Sequence, residues 1–203
     1  LSQDIHVEYP YIENRLSKGH KFDVTTNIFE KLPEFFKSQL DSNENERDYI
    51  KIIGRENNAR CEKWIKRKYI NGPDNLVNYK VILPKANGSG ILGEPLSTPL
   101  IGDPYYGHTQ TFISVGSFKN YDEADACIKY IKSKFARAML GILKVTQDNK
   151  KESWRKVPLQ DFTPNSDIDW SQSIENIDQQ LYKKYNLSQD EIDFIESKVR
   201  AMD

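Results

Sequence analysis

Residues 120–142, NYDEADACIKYIKSKFARAMLGI, place Ala124, Cys127, Ile128, Ile131, Phe135, Ala138, Met139 and Ile142 on one stripe. That spacing is the signature of an amphipathic helix, which has to lie against a core. Asn120 followed three residues later by Glu123 is a capping-box start for it. Immediately before it, TFISVGSF at residues 111–118 reads as a strand with Phe112, Val115 and Phe118 available for burial. A strand feeding a core-facing helix fixes the expected class as α/β (mixed α+β), with a mixed sheet and flanking helices.

The remaining chain is read around that unit. Residues 1–24 show little periodicity and are expected to be an irregular lead-in. Ile28, Phe29, Leu32, Phe35, Phe36 and Leu40 recur at helical spacing, with Pro33 implying a kink or a second start. YIKII is a short strand candidate ahead of Gly54, and Tyr79 to Leu83 is a strand closed by Pro84, after a turn at Asn71-Gly72. Residues 87–107 hold five glycines and three prolines, a loop that is functional or partly strand-like. Two terminal helices follow, one carrying Ile174, Ile177, Leu181 and Tyr185, the other opened by Ser188 and Glu191 as a second capping box. The expected organisation is a domain over residues 1–160, with 1–44 as a lead-in and helical layer. Residues 161–203 form a C-terminal two-helix appendage that docks on this domain or on a catalytic domain elsewhere.

Charge is distributed unevenly. Residues 49–90 contain nine basic side chains against three acidic ones, with Tyr49, Trp64, Tyr69 and Tyr79 interleaved, whereas residues 161–203 contain ten acidic against four basic. Basic residues mixed with flat rings and amides suit phosphates and bases, and the acidic end would repel a polyanion. Arg55, Asn57, Asn58 and Arg60 have the donor and acceptor pattern that reads base edges. Lys63, Lys66, Arg67 and Lys68 suit phosphates. Lys85, Asn87 and Ser89 sit on the glycine-rich loop, where backbone can approach closely. Tyr105, Tyr106, His108 and Thr109 form a further contact set. The competing interpretation of this stretch is a solvated sheet rim.

A mean hydropathy of -0.72 and the lack of a long apolar run give no membrane partner. Cys61 and Cys127 are far apart and outside any C-x-x-C pair, so neither zinc nor a disulfide framework is expected, and the expected location is cytoplasmic. The absence of an initiating methionine is read as a chain cut from a longer protein. Phosphate-loop, nucleophile-elbow and zinc-protease motifs are absent. The nearest carboxylate groupings are Asp74 ahead of Lys80 and Glu196 beside Lys198.

Several phrases carry a family resemblance: GRENNARCEKWIKRKYI, YKVILPKANGSGILGEPL, GHTQTFISVGSF, KFARAMLGILKVTQ and IDQQLYKKYNLSQDEIDFIE. Over roughly residues 45–203 the chain resembles the C-terminal target-recognition region of adenine-specific DNA methyltransferases, including fused restriction–modification enzymes. The resemblance implies sequence-specific recognition of double-stranded DNA next to a catalytic methyltransferase domain that uses S-adenosylmethionine. The family's cofactor and N/D-P-P-Y/F motifs are absent, so no catalytic residue, metal or cofactor is assigned to these 203 residues. Two alternatives come from other classes: a metal-dependent restriction endonuclease domain with unrecognised carboxylates, and a protein-interaction module.

Overall fold

A computed structural model of the protein describes residues 1–86, 90–144, 146–149 and 151–202. The N-terminal part begins with a short helix, α1 (Gln3–Glu8), and a 3₁₀ turn, Pro10–Asn14, followed by α2 (Ile28–Lys31) and a second 3₁₀ turn, Pro33–Phe35. The expected irregular lead-in is therefore partly helical, and it supplies core. Leu1, Ile5, Ile12 and Leu16 join Ile28, Phe29, Leu32 and Phe36 in one apolar cluster. Four apolar residues spread over sixteen positions are too sparse to give a period. The helix expected over residues 26–40 is cut to a single α-turn and a 3₁₀ turn, because Pro33 ends the first and starts the second.

That N-terminal layer covers one face of a sheet built from β1 (Tyr49–Glu56) and β2 (Ala59–Lys66), paired antiparallel from Tyr49↔Lys66 to Glu56↔Ala59. Ile50, Ile52 and Ile65 point into the N-terminal cluster. Each fully buried aliphatic contributes about 1.5–3 kcal/mol. Gly54 has a steric reason: a Cβ there would lie 2.5 Å from the Phe29 ring and 2.8 Å from the Thr109 methyl.

A second sheet is formed by β3 (Tyr79–Pro84), flanked by β4 (Leu100–Gly102) and β6 (Phe112–Phe118), both antiparallel to it. Between them in sequence, β5 (Tyr106–His108) crosses to the first sheet and lies parallel to β1. The α/β character is as expected, with the strands divided between two three-stranded sheets, one mixed and one antiparallel. The glycine-rich segment is partly strand, since it contains β4 and most of β5. Ile53 meets Ile82 and Phe112 where the sheets touch.

The stripe of residues 124–142 is two helices, α3 (Tyr121–Lys132) and α4 (Lys134–Leu143), not one. Ser133 takes an extended backbone, and its hydroxyl accepts from the Ala136 amide. The Asp178 carboxylate accepts from the Lys134 and Phe135 amides, both at 2.9 Å, so a new helix N-terminus is satisfied there. Ile142, expected in the core, is 56% exposed. The terminal helices α5 (Ile174–Lys184) and α6 (Gln189–Lys198) bury Ile177, Leu181, Tyr182 and Ile195 against Tyr130, Phe135 and Ala138 of α3 and α4. Both expected caps are present, Asn120 on α3 and the Ser188–Glu191 box on α6.

Candidate nucleic-acid interface

The β1–β2 hairpin organises the candidate surface. Its turn is two residues long, Asn57-Asn58, with φ of 49° and 61°. Positive φ at both centres matches the turn whose twist suits a tight hairpin, and asparagine tolerates that region better than most side chains. The tip projects Arg55, Asn57, Asn58 and Arg60 into solvent. Arg55 and Arg60 are a cross-strand pair, so both guanidiniums lie on one face. Arg55 donates to the Asn58 carbonyl at 2.6 Å and braces the turn. Arg60 donates to the Thr98 carbonyl at 3.3 Å and sits 5.4 Å above the Phe112 ring. Each keeps most of its five donors for another partner.

Following that face towards the strand ends, the register brings Lys51 opposite Trp64 and Tyr49 opposite Lys66. The Lys51 ammonium is 4.7 Å from the Trp64 ring centre and 3.7 Å from Glu62, whose carboxylate accepts from the Tyr106 hydroxyl. Arg67 stacks 3.8 Å from the Tyr105 ring centre and also donates to that hydroxyl. Tyr49, Lys51, Trp64, Arg67, Tyr105 and Tyr106 thus line one groove of about 640 Å³, with Arg47, Glu46 and Asp103 also on its walls. Arg47, Tyr49, Lys51 and Trp64 are absent from the site read off the sequence. Recognising Asn57-Asn58 as a hairpin turn would have found the last three, because the register then places them beside Lys66.

The other sequence-selected residues divide. Lys66 is exposed and makes no hydrogen bond or ion pair among the described residues. Lys68 pairs with Glu8 at 2.6 Å beside Tyr69. Lys63 points to the opposite face of the hairpin, where its side chain is 12% exposed, bonded to Glu56 at 2.6 Å and set over Phe29. It is a packing residue, not a phosphate anchor. Thr109 is fully buried, with its amide donating to the Ile53 carbonyl, and is removed from the contact set for that reason. His108 is half-buried. Its Nδ1–H donates to the Thr109 carbonyl at 2.9 Å, and burial pushes its pKa below the usual histidine value. With exposed Lys85 it lines a cleft of about 530 Å³ between the two sheets, a cleft that shares Tyr106 with the groove but not Tyr105. Asn87 and Ser89 lie outside the described residues.

Among the described residues no group of three or more His, Cys, Asp or Glu side chains is placed to hold a metal ion. Of the carboxylates singled out in the sequence, Glu196 bonds Lys134 and Tyr182 within the helical layer, and Asp74 starts a 3₁₀ turn. Among the described residues, no helix is long and apolar enough to cross a membrane. No protein-family model, curated protein or solved structure matches the chain.

Proposed function

We propose that this chain recognises double-stranded DNA by sequence, as the target-recognition part of a bacterial restriction–modification enzyme whose adenine methyltransferase domain binds S-adenosylmethionine elsewhere. The observation that carries the reading is the hairpin: a two-stranded ribbon has the width of a major-groove reader, and its tip presents two arginines and two asparagines. Behind the tip, the exposed cations Lys66 and Arg67 lie along the same ribbon, where a DNA backbone would pass. No catalytic step is assigned to the chain.

The test is duplex binding by fluorescence anisotropy against a pool of sequences at several salt concentrations. The logarithm of affinity is expected to fall linearly with the logarithm of salt, by roughly 0.9 per phosphate neutralised. Lys66→Ala is expected to weaken all duplexes alike, whereas Arg55→Ala or Arg60→Ala is expected to change the preferred sequence at a cost of about 1–3 kcal/mol. Uniform losses from all three remove the base-reading role, and an affinity flat in salt removes the electrostatic one.

A further inference from the structure

We infer that the groove lined by Trp64, Arg67, Tyr105 and Tyr106 receives a single nucleotide that has left the base stack of the bound DNA, an inference that rests on the DNA-recognition proposal. The base lies flat against the rings, and its phosphate sits on the arginines.

Three kinds of wall meet in this groove. Trp64, Tyr105 and Tyr106 are flat and half-buried. Arg47, Lys51 and Arg67 outnumber the acidic Glu46 and Asp103 by one charge. A site for phosphate alone has no use for three rings, and a site for an apolar ligand has no use for three cations. An unpaired nucleotide uses both. Paired DNA does not, because a duplex keeps its base faces inside the stack and offers a protein only edges and phosphates.

Tyr105 carries the second observation. Its φ is 62°, a region that an aromatic residue seldom enters. The Tyr105 amide donates to the Leu76 carbonyl at 2.7 Å, and its hydroxyl accepts from Arg67 at 2.7 Å, so this costly conformation is held at both ends. Strain of this kind concentrates where a side chain has to be aimed. Here it sets the ring under the Arg67 guanidinium, 3.8 Å from the ring centre. Arg67 is otherwise exposed, and a guanidinium plane backed by a ring is itself a surface on which a base stacks. Arg47 makes no side-chain hydrogen bond or ion pair among the described residues, and Lys51 is tied only to Glu62 and the Trp64 ring. Both are thus placed to take a phosphate, while the Glu46 and Asp103 carboxylates accept from the amino group of a base. The strand that supplies the nucleotide is the one passing Lys66, which lies opposite Tyr49 in the hairpin register and next to Arg67.

Three duplexes of one sequence are compared by fluorescence anisotropy with the full chain: fully paired, with one extra unpaired adenosine, and with an abasic site in place of that adenosine. The duplex with the unpaired base is expected to bind about tenfold tighter than the abasic one, which has the same phosphates. Tyr105→Asn, in which asparagine keeps the left-handed backbone, is expected to bring the two affinities together, and Tyr105→Phe, which keeps the ring, to retain the difference. In ¹H–¹⁵N NMR the Trp64 indole signal is expected to move further with the unpaired base than with the abasic site, while those of Trp154 and Trp170 stay. Equal affinities for the unpaired-base and abasic duplexes overturn the inference; if the fully paired duplex still binds with the expected salt dependence, DNA recognition by the hairpin stands without it. Tighter binding of the single strand than of the duplex with the unpaired base also overturns it and makes the groove a single-strand channel. Binding to none of these DNAs overturns both.

Discussion

Lys80 lies in the middle of β3, only 2% exposed, with its ammonium donating to the carbonyls of Asn75, Leu76, Asn78 and Asp103. Along the sequence it counts towards a basic surface; in the fold it clamps the 3₁₀ turn Asp74–Val77 and the loop at Asp103 onto the sheet. Burial pulls its pKa down to about 8, while the carbonyl cage favours the charged form. Lys80→Met removes the cation and strands its acceptors, and is expected to cost about 3 kcal/mol. Linkage gives a second readout. Above about pH 8 the folded protein has released this proton while the unfolded chain holds it to its ordinary value of 10.5. Stability of the wild type should therefore rise with pH across that window, by up to about 1.4 kcal/mol per unit, and Lys80→Met should lack the rise. Urea unfolding at about pH 7.5 and 9.5 checks it; parallel profiles for the two proteins would contradict the assignment. Lys63 makes the same point on the hairpin: residue type gives its charge, but strand alternation and a neighbouring Glu56 decide that the charge is spent inside the protein.

At the level of elements, what was legible was local. Caps at Asn120 and Ser188, the strand closed by Pro84, and the strand at residues 112–118 are each set by a few adjacent residues, and the structure has them all. The hairpin was locally encoded too, but Asn57 and Asn58 carry two meanings, amides for bases and residues tolerant of positive φ, and the second fixes the register. The break at Ser133 was not legible. The apolar stripe runs through it without interruption, and the group that satisfies the new helix N-terminus is Asp178, more than forty residues downstream. Burial raises the Asp178 pKa to about 6, against 3.8 for an ordinary aspartate, while the two backbone amides oppose the rise. The folded state thus takes up a proton between about pH 6 and 3.8 that the unfolded state does not, so this carboxyl adds stability as pH falls through the window and loses it as pH rises. The unfolding temperature is expected to be higher at about pH 5 than at pH 7, by an amount that reflects about 1.4 kcal/mol, since only about one pH unit of the window lies between them. Asp178→Asn should flatten the dependence; an unchanged profile in that variant would assign it to another group.

The whole molecule rests on several apolar clusters, and the largest questions of stability concern the last forty residues. Read as sequence, residues 161–203 are an acidic appendage with narrow apolar stripes. In the fold they provide Ile168, Trp170, Ile177, Leu181, Tyr182, Ile195 and Val199 to a cluster completed by Ala126, Tyr130, Phe135, Ala136 and Ala138. The chain also returns beyond α6, where the Arg200 amide donates to the Gly93 carbonyl and the Arg200 carbonyl accepts from buried Arg137. Seven buried side chains at about 1.5–3 kcal/mol each amount to on the order of 10 kcal/mol or more, comparable with the whole net stability of an ordinary domain, about 5–15 kcal/mol. A chain ending at residue 160 is therefore expected to lose cooperative unfolding and to expose the α3–α4 surface, seen as a broad, shallow thermal transition and strong binding of a hydrophobic dye. The same truncation removes the Asp178 carboxylate from the start of α4, so helicity should fall by more than the residues deleted. If instead the shortened chain melts sharply at the wild-type temperature, the terminal helices are dispensable to the folded core, and the burial they share with α3 and α4 contributes far less than its area implies.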